Sequence, residues 1–198
     1  GFGPHGAAAS GFFEVVGWPD GESTSLAGGI GPGDFVLPPF SVLAILSALD
    51  HRRRTGQGEY IDCNQSEVFA NLLTTAYLQY AVTGQEPTRM GNRDLRAAPH
   101  GAFRCKGEDS WCTMAIFDEQ EWINFSEALA NPSWTQDSRF ATFASRKQHE
   151  DELERQVEAW TLQYNSDEVM ALLQSAGVKA GIVETMDYLF EEDLQLKE

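Results

Sequence analysis

At residues 33–62 the chain reads GDFVLPPFSVLAILSALDHRRRTGQGEYID, a Gly-Asp pair that leads into a long apolar run and a basic turn. The run predicts a helix over about 38–53, because proline is tolerated in a first turn where its missing N–H has no helical partner. Apolar residues lie on nearly every side of this helix, which predicts that it is buried. The three arginines at 52–54 and Gly56 suit the negative end of the helix dipole and a left-handed cap, so the helix is expected to end there.

The residues on either side of this helix predict loops, a strand and a second helix. The glycine-rich residues 1–33 are typical of loops around one short apolar piece at 12–16. Residues 58–63 predict a short strand. The spacing of apolar residues over about 66–83 predicts a long helix that ends at Gly84. The polar segment 85–98 predicts a linker.

After the linker, the pattern changes to that of a small mixed domain. Residues 102–105 and 111–116 flank the turn KGEDS and predict a hairpin. Three helices are predicted near 118–130, 146–164 and 166–176, followed by a strand over 178–183. Large aromatic side chains supply much of a small core, and four tryptophans are expected in it: Trp111, Trp122, Trp134 and Trp160.

The amino-acid composition argues against several classes of protein. The 198 residues carry 14 Lys and Arg against 30 Asp and Glu, a formal net charge of −16. Such a surface repels phosphate backbones and anionic headgroups, which argues against nucleic-acid and membrane partners. Three cysteines without CxxC spacing argue against a disulfide framework or a zinc site and favour a reducing, cytoplasmic location.

No apolar run approaches the roughly 18 residues that a membrane span requires. The first residues have neither the basic start nor the apolar core of a signal peptide. The missing methionine and the acidic last residues predict that the sequence is a piece of a longer protein.

Several motifs occur in an order that identifies a family. The Gly-Asp pair at 33–34 and the block HRRRTGQGEYID at 51–62 are followed by RMGN at 89–92, APHGAFRC at 98–105, DSW at 109–111 and GVKAGIV at 177–183. In this order the motifs resemble those of the family III, or CaiB/BaiF-type, acyl-coenzyme A transferases. The resemblance covers almost the whole chain.

The resemblance implies an α/β fold. Members of this family have a large Rossmann-like domain that is split in sequence around a smaller α+β domain, and two subunits thread through each other as interlocked rings. Residues 1–84 would belong to the large domain and its connecting helices, and 85–98 would be a linker. Residues 99–184 would form the small domain, and 185–198 would begin the return to the large domain.

The resemblance also implies an activity. It is transfer of coenzyme A from an acyl-CoA to a carboxylic acid, with Asp34 as the nucleophile that forms an acyl-aspartyl anhydride and then an aspartyl-CoA thioester. Gly33 would allow close approach of a ligand, and a helix N-terminus would favour the ionised carboxylate. From spacing alone, a Gly-Asp pair before a helix favours a turn or a helix cap, and only the family motif favours the nucleophile.

Other residues receive roles from the same resemblance. A loop over the reacting acyl group would contain Gly91, Asn92, Pro99, His100 and Gly101, and coenzyme A contacts would include Gly3 and Gly33. His100 is either a hydrogen-bond donor in that loop or a structural residue. The basic run at 51–54 either binds coenzyme A phosphates or caps its helix. Coenzyme A is expected as a co-substrate, with no metal.

Two alternatives stay open. The racemase branch of the family uses the aspartate that matches Asp34 as an acid/base group on α-methylacyl-CoA. The stretch that separates the two branches would lie between Gly6 and Ala7, where this sequence is shorter than its family. A non-catalytic paralogue or interaction module is the second alternative. The expected partners are an acyl-CoA, a carboxylic acid and a second copy of the chain.

Overall fold

The computed structural model describes residues 3–21, 33–193 and 196. The chain divides into two compact units, Gly1–Gly91 and Asn92–Glu198. The boundary between them falls within the segment predicted as a linker. Residues 22–32, which belong to the predicted glycine-rich loop region, lie outside the described residues. So do residues 194, 195, 197 and 198 at the end of the predicted return segment.

The helices of the first unit are α1 (Gly3–Ala9), α2 (Phe12–Val15), α3 (Gly33–Thr55), α4 (Gln65–Leu72) and α5 (Thr74–Thr83). The side chain of Asn64 caps α4 by accepting the N–H of Ser66, and Gly84 ends α5 in the left-handed region as predicted. The prediction of one helix over 66–83 is wrong, because the chain leaves helical geometry at Leu73. There the Thr74 hydroxyl donates to the carbonyl oxygen of Asn71, and such local bonds bend helices.

Helix α3 begins five residues before its predicted start and is not buried in this chain. Gly33 is its one buried residue among those described. The apolar side chains along it are exposed, including Phe35, Leu43 and Leu46. The elements packed against it are the short helices α1 and α4, which are too short to cover 23 residues.

By length and composition, α3 is apolar enough to cross a membrane, which corrects the expectation that no run approaches that length. Core helices of soluble proteins meet the same criteria.

The predicted strand at 58–63 is absent from the described residues. Residues 57–64 have no regular secondary structure, and Tyr60 is almost fully exposed. A strand forms when a neighbouring strand pairs with its N–H and C=O groups. No described segment of this chain pairs with residues 58–63, so the apolar alternation alone does not produce a strand.

The second unit contains a three-stranded antiparallel sheet. Strands β1 (His100–Arg104), β2 (Trp111–Ala115) and β3 (Lys179–Ile182) lie in the order β1-β2-β3. Phe103 pairs with Cys112, and Met114 pairs with Ala180. The predicted hairpin is therefore confirmed as β1 and β2. The strand predicted over 178–183 is β3, which pairs with β2.

The described part of this unit also contains five α-helices. They are α6 (Glu119–Ala128), α7 (Phe143–Gln148), α8 (Glu150–Thr161), α9 (Ser166–Ser175) and α10 (Met186–Glu191), with short 3-10 turns at Ser133–Gln136 and Ser138–Phe140. Of these helices, α8 and α9 pack against the sheet. Asp118 caps α6 through the N–H of Glu121. The predicted helix 146–164 is divided at His149, whose ring nitrogen Nδ1 lies 3.0 Å from the carbonyl oxygen of Ser145 and competes with the helical ladder.

The core of the second unit lies between the sheet and these helices. Trp122 and Trp160 are buried in it, and Trp134 packs against it from a partly buried position. Trp111 differs from the prediction. The side chain is half-buried and lies outside that core. Its indole N–H donates to Asp109 Oδ1 at 2.9 Å, and the Arg104 guanidinium lies 5.2 Å from its ring centre.

Candidate active site

Asp34 lies in the first turn of α3. The earlier start of the helix places its carboxylate inside the turn rather than before it, next to the positive end of the helix dipole. The side chain is exposed to solvent. The side-chain amide of Gln65, the first residue of α4, donates through Nε2 to Asp34 Oδ1 at 3.3 Å. The sequence analysis missed Gln65, because nothing in local spacing links residues 34 and 65.

Packing requires a glycine at position 33, before Asp34. A Cβ at Gly33 would lie 2.7 Å from Cδ of Gln65 and 2.9 Å from Cε2 of Phe69, closer than real side chains approach. Gly33 therefore lets α3 meet α4. Gly3 is also buried, at the start of α1. Coenzyme A contacts of Gly3 and Gly33 stay a prediction.

The first unit contains a cavity of about 590 Å³. Tyr77 and Tyr80 of α5 line it together with Arg89, and acidic Glu14 and Glu86 lie at its wall. The Tyr77 hydroxyl donates to a backbone carbonyl at 2.8 Å, and Arg89 donates to the carbonyl oxygen of Gly21 at 3.0 Å. Asp34 is not among the residues that line this cavity. Both tyrosine side chains are about half exposed.

The predicted loop residues are divided between the units. Gly91 ends the first unit with φ 62°, and its N–H donates to the carbonyl oxygen of Gly17 at 2.8 Å. A Cβ there would collide with the ring of Trp18, so both conformation and space require glycine.

Four of the predicted residues lie close together in the second unit. His100 Nδ1 is 2.5 Å from the carbonyl oxygen of Asn92. Pro99 is buried and its carbonyl accepts the N–H of Ile116, while Gly101 pairs with Met114 in the sheet. The hydrogen bond to Asn92 gives His100 a structural contact. A substrate contact of these residues stays a prediction.

Basic side chains fasten the loop at 92–99 to α7 and α8. Arg93 bridges Asp151 at 2.5 Å and Glu154 at 2.6 Å. Lys147 Nζ donates to the carbonyl oxygen of Asp94 at 3.0 Å. The hydrogen bond to Glu154 raises the pKa of Arg93, and the hydrogen bond from Arg93 lowers the pKa of Asp151. This cluster was not predicted from the sequence, because Arg93 and Lys147 contact partners that are more than 50 residues away.

Arg146 is the third basic residue that holds the loop, and it is fully buried. Its Nε donates to the carbonyl oxygen of Ala98 at 3.2 Å, and its Nη1 contacts Glu119 Oε2 at 3.0 Å. The guanidinium lies 4.7 Å from the ring centre of Trp122. Partial burial acts to raise the pKa of Glu119, but the bonds from Arg146 and from the N–H of Phe143 lower it overall.

Three of the four residues of the basic run at 51–54, at the end of α3, have local partners. Arg53 and Arg54 both pair with Asp50, at 2.8 and 2.9 Å, and His51 lies 3.5 Å from Glu59. Cations in a last helical turn stabilise the negative end of the dipole. These contacts favour the helix-capping interpretation over a phosphate site.

Within the described residues, no group of three or more His, Cys, Asp or Glu side chains could hold a metal ion. Cys105 and Cys112 are buried under the sheet, and burial raises the pKa of the Cys112 thiol to about 12. A thiol with so high a pKa is a poor nucleophile.

The chain is similar to known proteins over its whole length. A family model described as CoA-transferase family III matches residues 1–198. The chain is 32% identical to the succinyl-CoA–D-citramalate CoA-transferase of Chloroflexus aurantiacus over 93% of this chain and 45% of that protein. It is 29% identical to a succinyl-CoA:mesaconate CoA-transferase of Haloarcula hispanica, over 91% of this chain and 44% of that protein.

A solved structure agrees with these relatives. The crystal structure of a CaiB/BaiF family protein from Brucella suis matches with a TM-score of 0.88 and 29% identity, over 100% of this chain and 51% of that one. The mixed architecture of helices and a small sheet is that of this structure. The chain thus spans about half the length of the proteins that it matches.

Proposed function

The chain belongs to CoA-transferase family III, and from this membership we propose that the protein transfers coenzyme A from an acyl-CoA to a carboxylic acid. The family resemblance predicted from the motifs is confirmed by the match over all 198 residues, and this match is the observation that carries the proposal. The named activities of the two relatives support succinyl-CoA as the donor and a small dicarboxylic acid as the acceptor.

We assign the nucleophile to Asp34. One carboxylate oxygen attacks the thioester carbonyl, the C–S bond breaks, and coenzyme A leaves as the thiolate with an acyl-aspartyl anhydride in place. The thiolate then attacks the aspartyl carbonyl and releases the donor acid. The acceptor carboxylate attacks the resulting aspartyl-CoA thioester, and thiolate attack on the acceptor side of the new anhydride regenerates Asp34.

Two features of the described structure support this assignment. The carboxylate is exposed, so a thioester can reach it. It lies in the first turn of α3, where the helix dipole favours a negative charge. A helix-capping role for Asp34 requires only its position in the first turn of α3. Activity measurements therefore distinguish that role from the role of nucleophile.

The same membership supports a proposal for the assembly. We propose that residues 1–84 and 99–184 belong to the large and small domains of the family architecture, and that two copies form the interlocked dimer in the cytoplasm. The long exposed apolar side of α3 is consistent with a helix that the rest of such an assembly covers.

The test uses the full-length protein with succinyl-CoA and either citramalate or mesaconate. The Asp34→Asn variant removes the nucleophile and should lower kcat about a thousandfold or more. The Asp50→Asn variant is the control and should retain activity, because Asp50 lies on the same helix and pairs with Arg53 and Arg54. New CoA esters are measured by chromatography, and hydroxylamine should trap the acyl group on the Asp34 peptide.

Three outcomes would contradict the proposal. An Asp34→Asn variant as active as the parent would show that Asp34 is not the nucleophile. Uptake of α-deuterium from heavy water in the absence of an acceptor acid, without a new CoA ester in its presence, would favour racemase chemistry. If neither reaction occurs and no Asp34 adduct forms, the non-catalytic alternative gains.

A further inference from the structure

The side chain of Gln65 is confined between two glycines. A Cβ at Gly33 would lie 2.7 Å from its Cδ and 2.8 Å from its Nε2. A Cβ at Gly6 would lie 3.2 Å from both its Cβ and its Oε1. The amide group of Gln65 therefore occupies the space that side chains on α1 and α3 would otherwise fill.

The backbone of Gln65 is fixed as well. It is the first residue of α4, and Asn64 before it caps the helix by accepting the N–H of Ser66 at 2.8 Å. One turn later, the buried ring of Phe69 also packs on Gly33. A side chain that is anchored at its base and closely packed against Gly6 and Gly33 has fewer conformations left, so less entropy is lost when its amide makes a directed hydrogen bond.

That hydrogen bond ends on the carboxylate of Asp34. Nε2 of Gln65 donates to Oδ1 at 3.3 Å, which leaves Oδ2 free of this contact. An amide is a neutral donor, so it orients a carboxylate without the strong charge pairing that an arginine or lysine would bring. The arrangement holds one oxygen of Asp34 and exposes the other.

We propose that Gln65 is a positioning residue that orients the Asp34 carboxylate for attack on the thioester, an inference that rests on the proposed function. The bond to Oδ1 directs Oδ2 toward the substrate. Oδ1 is also the oxygen that stays on the aspartyl carbon in the anhydride and in the thioester, where it becomes the carbonyl oxygen. The same N–H then lies at the oxygen that gains negative charge when thiolate or acceptor attacks that carbon.

The inference also gives a reason for the glycine in the Gly-Asp pair. A methyl group at residue 33 would displace both the Gln65 amide and the ring of Phe69. We therefore expect Gly33→Ala to share the kinetic defect of Gln65→Met and, because it also disturbs the packing of Phe69, to unfold at a lower temperature.

The experiment compares two variants of nearly the same side-chain length in the full-length protein. Gln65→Met removes the donor, and Gln65→Glu replaces it with a second carboxylate beside Asp34. We expect kcat to fall about tenfold for the first and about a hundredfold for the second, since a donor to a charged group is lost and a like charge is then added. KM for both substrates should stay within about twofold, because the contact orients the nucleophile and not the substrate.

The control is Gln57→Met, at an exposed position in the irregular segment after α3. It should leave both kinetic constants unchanged. Thermal unfolding of each variant is measured alongside, so that a loss of folded protein is separated from a loss of kcat.

Two results separate the failure of this inference from that of the proposed function. If Asp34→Asn abolishes transfer while Gln65→Met keeps kcat within twofold of the parent, Gln65 has no positioning role although Asp34 is the nucleophile. If Asp34→Asn remains active, the proposed function fails, and the role of Gln65 fails with it. A rise in KM without a fall in kcat would likewise overturn the positioning role and indicate a substrate contact.

Discussion

Arg146 is the largest side chain buried completely within the described residues. A buried guanidinium is costly unless its donors are satisfied, and Arg146 has partners for Nε and Nη1. The carbonyl oxygens of Ala98 and Phe140 receive two of these bonds, and Glu119 supplies the opposite charge. Nη2 is buried without a hydrogen-bond partner in the described part of the chain. The residue thus ties α6, α7 and the loop before β1 to one point.

Replacing Arg146 should destabilise the second unit strongly. The Arg146→Met variant keeps most of the volume but loses the bonds to both carbonyls and the pair with Glu119. We expect the free energy of unfolding to fall by about 3 kcal/mol. Urea denaturation followed by tryptophan fluorescence measures it, because Trp122 lies against the guanidinium.

The matched control is Arg155→Met on α8. Arg155 is 70% exposed and pairs with Glu152 one turn earlier. Exposed pairs contribute little, so we expect a change of about 0.5 kcal/mol or less. Equal effects of the two substitutions would show that burial of Arg146 does not carry the stabilisation.

At the scale of elements, the loop at 92–99 is held by charges rather than by apolar packing alone. Arg93 reaches α8, and Lys147 on α7 reaches the backbone of Asp94. The loop contains Asn92 and Pro99 and leads directly into His100 and Gly101. These are four of the residues predicted to face the acyl group. A loop fixed in this way needs little ordering when substrate binds, which reduces the entropic cost of binding.

These ion pairs make the stability of the second unit depend on acid. Hydrogen bonds from Arg96 and Arg93 lower the pKa values of Asp94 and Asp151, and the pKa of Glu119 is lowered although partial burial opposes the shift. A carboxyl with a lowered folded-state pKa binds fewer protons in the folded state than in the unfolded one. Its contribution is therefore present above the unfolded pKa of about 4 and is lost as the pH falls through the folded value.

We expect the urea midpoint of the second unit to stay level from about pH 7 to about pH 5.5 and to fall below about pH 4.5. The midpoint is measured by tryptophan fluorescence at each pH. An Arg93→Gln variant removes the partner of Asp151 and should show a smaller fall. A midpoint that increases on acidification would contradict the direction of these pKa shifts.

For the whole molecule, the main feature is the exposed apolar surface of α3. Phe35 is 66% exposed, Leu43 65% and Leu46 59%. Contiguous apolar surface of this kind marks a place where other protein or membrane is bound. The relatives that the chain matches are about twice as long, so a family member has much more chain with which to cover such a helix.

The 198-residue chain, when prepared alone, should therefore self-associate. The double substitution Leu43→Gln and Leu46→Gln on α3 should shift it toward monomer, since both side chains are more than half exposed and the change removes apolar surface. Sedimentation velocity over a range of concentrations measures the change. Val82→Gln, at an exposed position on α5, is the control and should have little effect. A parent chain that is monomeric at every concentration would contradict the expectation.

Local chemistry accounts for the features that the amino-acid order alone predicted correctly. The hairpin of β1 and β2 follows from alternation around a polar turn, and the α6 and α5 termini follow from Asp118 and Gly84. The family was also identifiable, because its motifs are short runs of neighbouring residues. Each of these signals acts over a few residues, so no knowledge of distant contacts was needed.

Contacts between distant residues decided the rest. The segment at 58–63 has strand-like alternation but no pairing partner in the described chain, and α3 has a core-like composition but no cover. The contacts of Asp34 with Gln65, of Arg93 with Glu154, and of Arg146 with Ala98 and Glu119 join residues 27 or more positions apart. Such contacts depend on how helices pack, and packing follows from the shape and burial of many side chains at once rather than from local propensity.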